Sequence, residues 1–193
     1  AGGIDEGNCS GNLIDGNLIT GNFGGLQGGG IWAINSIITN NIIVENEARR
    51  GGGIFCYNDD PSKLTQVINN TLTKKVADTA GGIAIYEANT VVMNTICWGN
   101  TAPHGAEIET WGGTLNVAHS DIRLGLPGIA IDSAATGNWL VGNIDADPQL
   151  NDSFNLLDFS LCIGAGIPSF DFGGGMICHS PATDMAGNPR PNP

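Results

Sequence analysis

One short pattern recurs along the first half of the chain: GGGIWA at residues 28–33, GGGIFC at 51–56 and AGGIAI at 80–85, with a weaker copy, HGAEI, at 104–108. The copies share Ile31, Ile54, Ile83 and Ile108, which are 23, 29 and 25 residues apart. A period of this size is typical of repeat architectures, in which each unit stacks on its neighbours. The repeat therefore decides the fold class.

A second pattern keeps the same phase. Asn17, Asn41, Asn70 and Asn94 each precede a short run of β-branched or apolar residues, and Ser120 continues the series, at intervals of 24, 29, 24 and 26 residues. Asparagine tolerates the left-handed backbone of a corner, and its amide can bond the asparagine of the next unit. The four asparagines are therefore predicted to form a structural ladder.

Each unit of about 24 residues holds two or three short runs with the alternation of a β-strand, such as SIIT at 36–39. A unit this small cannot bury its own apolar face and must stack on copies of itself. We therefore predict an all-β fold, a right-handed parallel β-helix in which each strand pairs with its equivalent one coil away. A β-sandwich is the alternative, because short alternating strands alone would also fit it.

The periodicity fades after Ile122. We predict β-helix coils over residues 1–122, and irregular coils with a C-terminal capping tail of the same domain over 123–193. A solenoid needs atypical terminal units, since the last coil would otherwise leave its core and strand edges open. Both ends of the chain look like cuts, so we expect a fragment or a processed form of a larger protein.

Composition limits the partners. The 193 residues include 19 acidic and 7 basic side chains, a net charge of −12. A phosphate-binding face needs clustered Lys and Arg, so no nucleic-acid partner is expected. No apolar run reaches the roughly 20 residues of a membrane span, so no direct membrane insertion is expected either.

Several segments resemble secreted bacterial proteins with right-handed parallel β-helix repeats, of the pectin-lyase-like superfold and the uncharacterised surface-protein type. They are NTICWGNTA at 94–102, VAHSDI at 117–122, GNIDADP at 142–148, SLCIGAG at 160–166 and GNPRP at 187–191. The resemblance implies this architecture and an extracellular or cell-surface location, rather than a reaction. We therefore expect a non-catalytic module that is structural, adhesive or self-assembling, with other copies of itself or other surface proteins as partners.

The alternative function is a carbohydrate-active β-helix that binds or cleaves acidic polysaccharide, since this superfold includes many lyases and glycosidases. A lyase needs a cation that neutralises the carboxylate of the uronate, and a base that removes a proton from the sugar ring. The candidates for these roles are Arg49, Arg50, Lys74 and Lys75. This alternative predicts a groove lined by Trp32, Phe55 and Tyr57, whereas solvated turns are the competing interpretation of the basic pairs.

The tail carries the candidates for a cofactor and for a cross-link. Its clustered acids offer the hard oxygen ligands that Ca²⁺ prefers, so a calcium site is a hypothesis, with plain solvated acids as the alternative. Its candidate ligands are Asp145, Asp147, Asp152 and Asp158. The five cysteines lack the C-x-x-C spacing of a zinc site. Cys162 and Cys178 are the candidate disulfide pair, and buried free thiols are the alternative.

Overall fold

A computed structural model describes residues 2–7, 9–58, 60 and 62–190. The chain forms a parallel β-solenoid of about five turns, which confirms the prediction of a parallel β-helix. Three sheets run along the solenoid, and every pairing within them is parallel. Parallel pairing follows from the repeat, because each strand returns to the same corner one coil later.

The strands are numbered in chain order. The first sheet contains β1 (Ile4–Asp5), β4 (Ile31–Ile34), β8 (Ile54–Tyr57), β12 (Ile83–Tyr86), β15 (Ile108–Trp111) and β18 (Ile129–Ile131). The second contains β2 (Leu13–Asp15), β5 (Ile37–Thr39), β9 (Thr65–Ile68), β13 (Asn89–Met93), β16 (Thr114–Ala118) and β19 (Thr136–Trp139). The third contains β3 (Leu18–Thr20), β6 (Ile42–Val44), β10 (Thr71–Thr73), β14 (Ile96–Trp98) and β17 (Asp121–Ile122).

Four further short strands lie among the described residues. A two-stranded parallel sheet pairs β7 (Glu47–Arg50) with β11 (Val76–Thr79), and the tail holds an antiparallel pair, β20 (Ser169–Asp171) with β21 (Ile177–His179). A single turn of 3₁₀-helix covers Leu126–Gly128. No helix among the described residues is long and apolar enough to cross a membrane.

The core is a set of interior columns. Ile31, Ile54, Ile83 and Ile108 are register partners on successive coils, and all four are fully buried. Strand alternation points every second residue inward, and in-register pairing then places like residues over one another. The isoleucines of the repeat therefore form a single interior column.

The asparagine ladder runs through Asn17, Asn41 and Asn70. The side-chain Nδ2 of Asn17 donates to Asn41 Oδ1 (3.0 Å), and that of Asn41 donates to Asn70 Oδ1 (3.0 Å). The next rung is Thr95, whose Oγ1 accepts from the backbone N–H of Asn70 (3.3 Å). Asn94 does not take part, which differs from the prediction.

The register explains the difference at Asn94. Thr71 pairs with Ile96, so Asn70 lies opposite Thr95. Asn94 instead adopts a left-handed backbone (φ 49°), and its Nδ2 donates to the Ile167 carbonyl of the tail (2.8 Å).

Residues 123–144 complete one further coil, through β18, β19 and a bridge between Asp121 and Ile144. Residues 145–190 then return along the side of the solenoid, and we call this segment the strap. It contacts successive coils at Asn94, Asn69 and Asn40. The predicted capping tail therefore lies along the flank of the coils, because its hydrogen bonds are made with corner side chains there.

Candidate functional site

The outer face of the first sheet carries a row of aromatic side chains. Register pairing stacks Tyr57, Tyr86 and Trp111 on consecutive coils, and we call these three residues the aromatic strip. The rings of Tyr57 and Tyr86 are stacked, with centroids 6.3 Å apart. Tyr86 is 38% exposed, and the other two are partly buried. A partner molecule can therefore reach the strip over about three coils.

A second outward-facing column of the first sheet lies next to the strip and includes Trp32, Phe55 and Ala84. Trp32 and Phe55 are register partners, but Phe55 is only 1% exposed and packs with Ala80 and Ala84. Small alanines on the next coil leave room for the large ring, which is why an outward residue becomes buried. Of the groove predicted from Trp32, Phe55 and Tyr57, only Trp32 and Tyr57 remain partly accessible.

Arg50 and Glu109 supply charge beside the strip. The Arg50 guanidinium lies 5.9 Å from the centre of the Trp111 ring, within the range of a cation–π contact. Burial raises the pKa of Glu109, while the charges of His104 and Arg50 act in the opposite direction. Glu109 Oε2 is buried and has no hydrogen-bond partner in the described part of the chain. The strip therefore has both a cation, Arg50, and an acid, Glu109, beside it.

The other basic candidates are dispersed. Arg49 forms an exposed ion pair with Asp78 (3.4 Å). Lys74 faces Glu45 (3.7 Å) and lies over the ring of Phe154. Lys75, the adjacent residue, is fully buried inside the solenoid. Among the four basic candidates, only Arg50 contacts the aromatic strip.

The acidic candidates in the tail do not converge. Asp145 and Asp147 accept hydrogen bonds from the backbone N–H groups of Leu124 (3.0 Å) and Gln149 (2.9 Å), and Asp152 and Asp158 are exposed. Within residues 2–7, 9–58, 60 and 62–190, no three His, Cys, Asp or Glu side chains are grouped so that they could hold a metal ion. The geometry therefore gives the calcium hypothesis no support.

The cysteines of the tail are not bonded to each other. The Cys162 thiol donates to Asp121 Oδ2 (3.2 Å), and burial raises its pKa to about 12. Cys178 packs against Val91 and Met93, and burial also raises its pKa. Both are free thiols, so the predicted disulfide is wrong. The strap places the two cysteines against different coils.

A cavity of about 740 Å³ separates the strap from the corner side chains, and sequence reasoning missed it. Its walls include Asn40 and Asn69 from the coils, and Ser180 and Arg190 from the strap. Arg190 donates to Asn40 Oδ1, and Ser180 Oγ lies 2.8 Å from the Asn69 amide. The doubled asparagines at 40–41 and 69–70 were the available signal, since one member of each pair turns inward and the other outward.

Comparison of the chain with protein-family models, with curated proteins and with solved structures found no match. The assignment of a function therefore depends on the residues and their geometry.

Proposed function

We propose that this chain is a non-catalytic extracellular or cell-surface module that adheres to glycans through the aromatic strip. The observation that carries the proposal is the row formed by Tyr57, Tyr86 and Trp111 on the outer face of the first sheet. Aromatic side chains combine a broad apolar face with polar edges, and pyranose rings offer matching C–H faces and hydroxyl rims. Rings repeated once per coil suit a ligand that is itself a repeating chain.

The charges favour a neutral glycan over an acidic one. The whole chain carries a net charge of −12, and Arg50, the basic candidate at the strip, lies close enough to Glu109 to lower the pKa of that acid. Cleavage of acidic polysaccharide, the alternative function, needs several cations at one surface. Lys75 is buried, and Arg49 and Lys74 are paired with other acids, so this alternative is the weaker proposal.

The proposed surface location and family type rest on two kinds of support. The parallel solenoid is the architecture that the secreted bacterial, pectin-lyase-like resemblance implies. Large apolar side chains also remain exposed on the first coil, and such patches are typical of interaction surfaces. They are Leu13, Leu18, Phe23 and Leu26. We propose other copies of the chain or other surface proteins as the partners of this coil.

Affinity electrophoresis in neutral and in uronate-rich polysaccharide gels tests the proposal. We expect a neutral polysaccharide to retard the wild-type chain, and Tyr86→Ala and Trp111→Ala to weaken that binding about tenfold each, the equivalent of one lost aromatic contact. Phe159→Ala is the matched control, because Phe159 is an exposed aromatic side chain in the strap, outside the three strands that carry the strip. Binding unchanged in both strip variants would refute the glycan site, and release of unsaturated uronates would refute a non-catalytic role.

A further inference from the structure

A second polar ladder runs along the corner between the third sheet and the short sheet of β7 and β11. Asn22 Nδ2 donates to Asn46 Oδ1 on the next coil (2.9 Å), and Asn46 Nδ2 donates inward to the Ile19 carbonyl (2.9 Å). The following rung is Lys75 in place of asparagine, and the rung after that is Asn100. A primary amine therefore lies inside a column of carboxamides.

The Lys75 amine is enclosed and fully buried. Its Nζ donates to the carbonyls of Ile43 and Thr73 (the latter at 2.8 Å). Burial lowers the pKa of Lys75, and burying an unpaired charge is expensive. A neutral amine has two N–H donors, and these two carbonyls use both. Its lone pair is left available as a nucleophile.

Asn100 and Glu107 complete the group. Asn100 Nδ2 donates to the Leu72 carbonyl (3.1 Å) and to Glu107 Oε2 (2.5 Å), and the Asn100 N–H donates to Glu107 Oε1 (3.3 Å). Glu107 is 1% exposed, and burial raises its pKa to about 7. A carboxamide is thus held against a carboxyl group that can carry a proton near neutral pH.

The register places Lys75 and Asn100 on consecutive rungs of this ladder. Lys75 Nζ and Asn100 Nδ2 donate to the carbonyls of Ile43 and Leu72, which are register partners, so the two nitrogens belong to consecutive rungs of a ladder whose coils are about 4.8 Å apart. The Asn100 amide also meets the Lys75 backbone, since its Oδ1 accepts from the Lys75 N–H (3.1 Å). In the all-asparagine part of the ladder, Nδ2 of one rung donates to Oδ1 of the next, and Lys75 is the rung that precedes Asn100.

We propose that Lys75 and Asn100 become joined by an intramolecular isopeptide bond, with Glu107 as the proton carrier. The Nζ lone pair attacks Cγ of Asn100, the Nζ–Cγ bond forms and the Cγ–Nδ2 bond breaks. One Nζ proton passes through the Glu107 carboxyl group to Nδ2, which leaves as ammonia. The exchange of one amide for another needs no oxidant and no cofactor. The bond closes a loop of 25 residues and links two coils covalently across their shared ladder.

Intact mass measurement of the purified full-length chain tests this proposal independently of glycan binding. We expect a mass lower than that of the sequence by one molecule of ammonia. Cleavage after Glu87, between the two residues, should leave the resulting fragments joined. Lys75→Met and Glu107→Gln should both have their full sequence masses. Lys74→Met, which changes the adjacent exposed lysine, should still lose ammonia.

Each contrary outcome would overturn part of the assignment. A wild-type chain at its full sequence mass would refute the bond, and this measurement requires no variant to fold. Loss of ammonia with fragments that separate after cleavage would also refute it, because the loss would then come from cyclisation at one residue. Loss of ammonia that persists in Glu107→Gln would overturn the role of Glu107.

Discussion

Replacing Asn70 by alanine should destabilise the solenoid by about 3–5 kcal/mol. The Asn70 carboxamide accepts from the N–H and Nδ2 of Asn41 (both 3.0 Å) and donates to the carbonyls of Ile38 (2.7 Å) and Ile68 (3.1 Å). A buried hydrogen bond contributes about 0.5–1.5 kcal/mol net, and a buried group left without a partner costs about 1–3 kcal/mol. The four hydrogen bonds share the Oδ1 and Nδ2 atoms of Asn70. Their combined contribution to the free energy of unfolding is therefore smaller than the sum for four independent bonds.

The next rung provides a matched substitution. Thr95 Oγ1 accepts from the Asn70 N–H (3.3 Å) and donates to the Met93 carbonyl (3.0 Å), so a hydroxyl can serve as a rung. Asn70→Thr should therefore retain one accepted and one donated bond and lose about 1–2 kcal/mol. Asn17→Ala removes the partly exposed end of the same ladder, where water can replace the lost bonds, and should lose less than about 1 kcal/mol.

Urea unfolding, followed by tryptophan fluorescence and circular dichroism, measures all three variants against the wild type. The expected order of destabilisation is Asn70→Ala, then Asn70→Thr, then Asn17→Ala, with unchanged m-values. If Asn70→Ala and Asn70→Thr lose the same free energy of unfolding, the hydrogen bonds of the side chain at this rung do not stabilise the solenoid as argued. Equal losses for Asn70→Ala and Asn17→Ala would show that position in the ladder does not matter.

Two further predictions concern Glu107 and the strap. Since burial raises the pKa of Glu107 from 4.5 to about 7, the folded chain keeps a proton that the unfolded chain releases, so the free energy of unfolding should fall as pH rises from about 4.5 to about 7. Urea unfolding across this pH range should show a smaller decline in the free energy of unfolding for Glu107→Gln than for the wild type. Identical declines would contradict the raised pKa of Glu107. Ser180→Ala removes a partner of Asn94 Nδ2 (2.6 Å) and should speed amide exchange in residues 167–190 but not in β13. Ser153→Ala, in an exposed turn, is the control, and equal exchange in both variants would contradict a fastening role for Ser180.

The coils could be predicted from the sequence because their stabilising interactions repeat. Ile31, Ile54 and Ile83 recur at nearly one period, and a residue that faces inward on one coil has its equivalent facing inward on the next. If a strand paired one residue out of register with the next coil, its inward-facing side chains would turn to the solvent. The hydrophobic pattern therefore strongly favours one register. The same reasoning predicted the rungs at Asn41 and Asn70.

Positions next to a corner were decided by the tertiary structure. Asn70-Thr71-Leu72 and Asn94-Thr95-Ile96 look equivalent as sequence, yet the rungs are Asn70 and Thr95. Lys74 and Lys75 likewise differ by one residue, and one is solvated whereas the other lies in the core. At a corner, a single left-handed residue changes which neighbour turns inward, and local composition does not reveal which residue adopts that conformation.

The sequence by itself determined that the chain winds into stacked coils and which isoleucines line the interior. Only the tertiary structure decided the path of the strap, the separation of Cys162 from Cys178, and the alignment of Lys75, Asn100 and Glu107. The coils repeat one set of local contacts, so their period is visible along the chain. The strap has no period, and its contacts join residues such as Asn94 and Ile167, which are 73 positions apart.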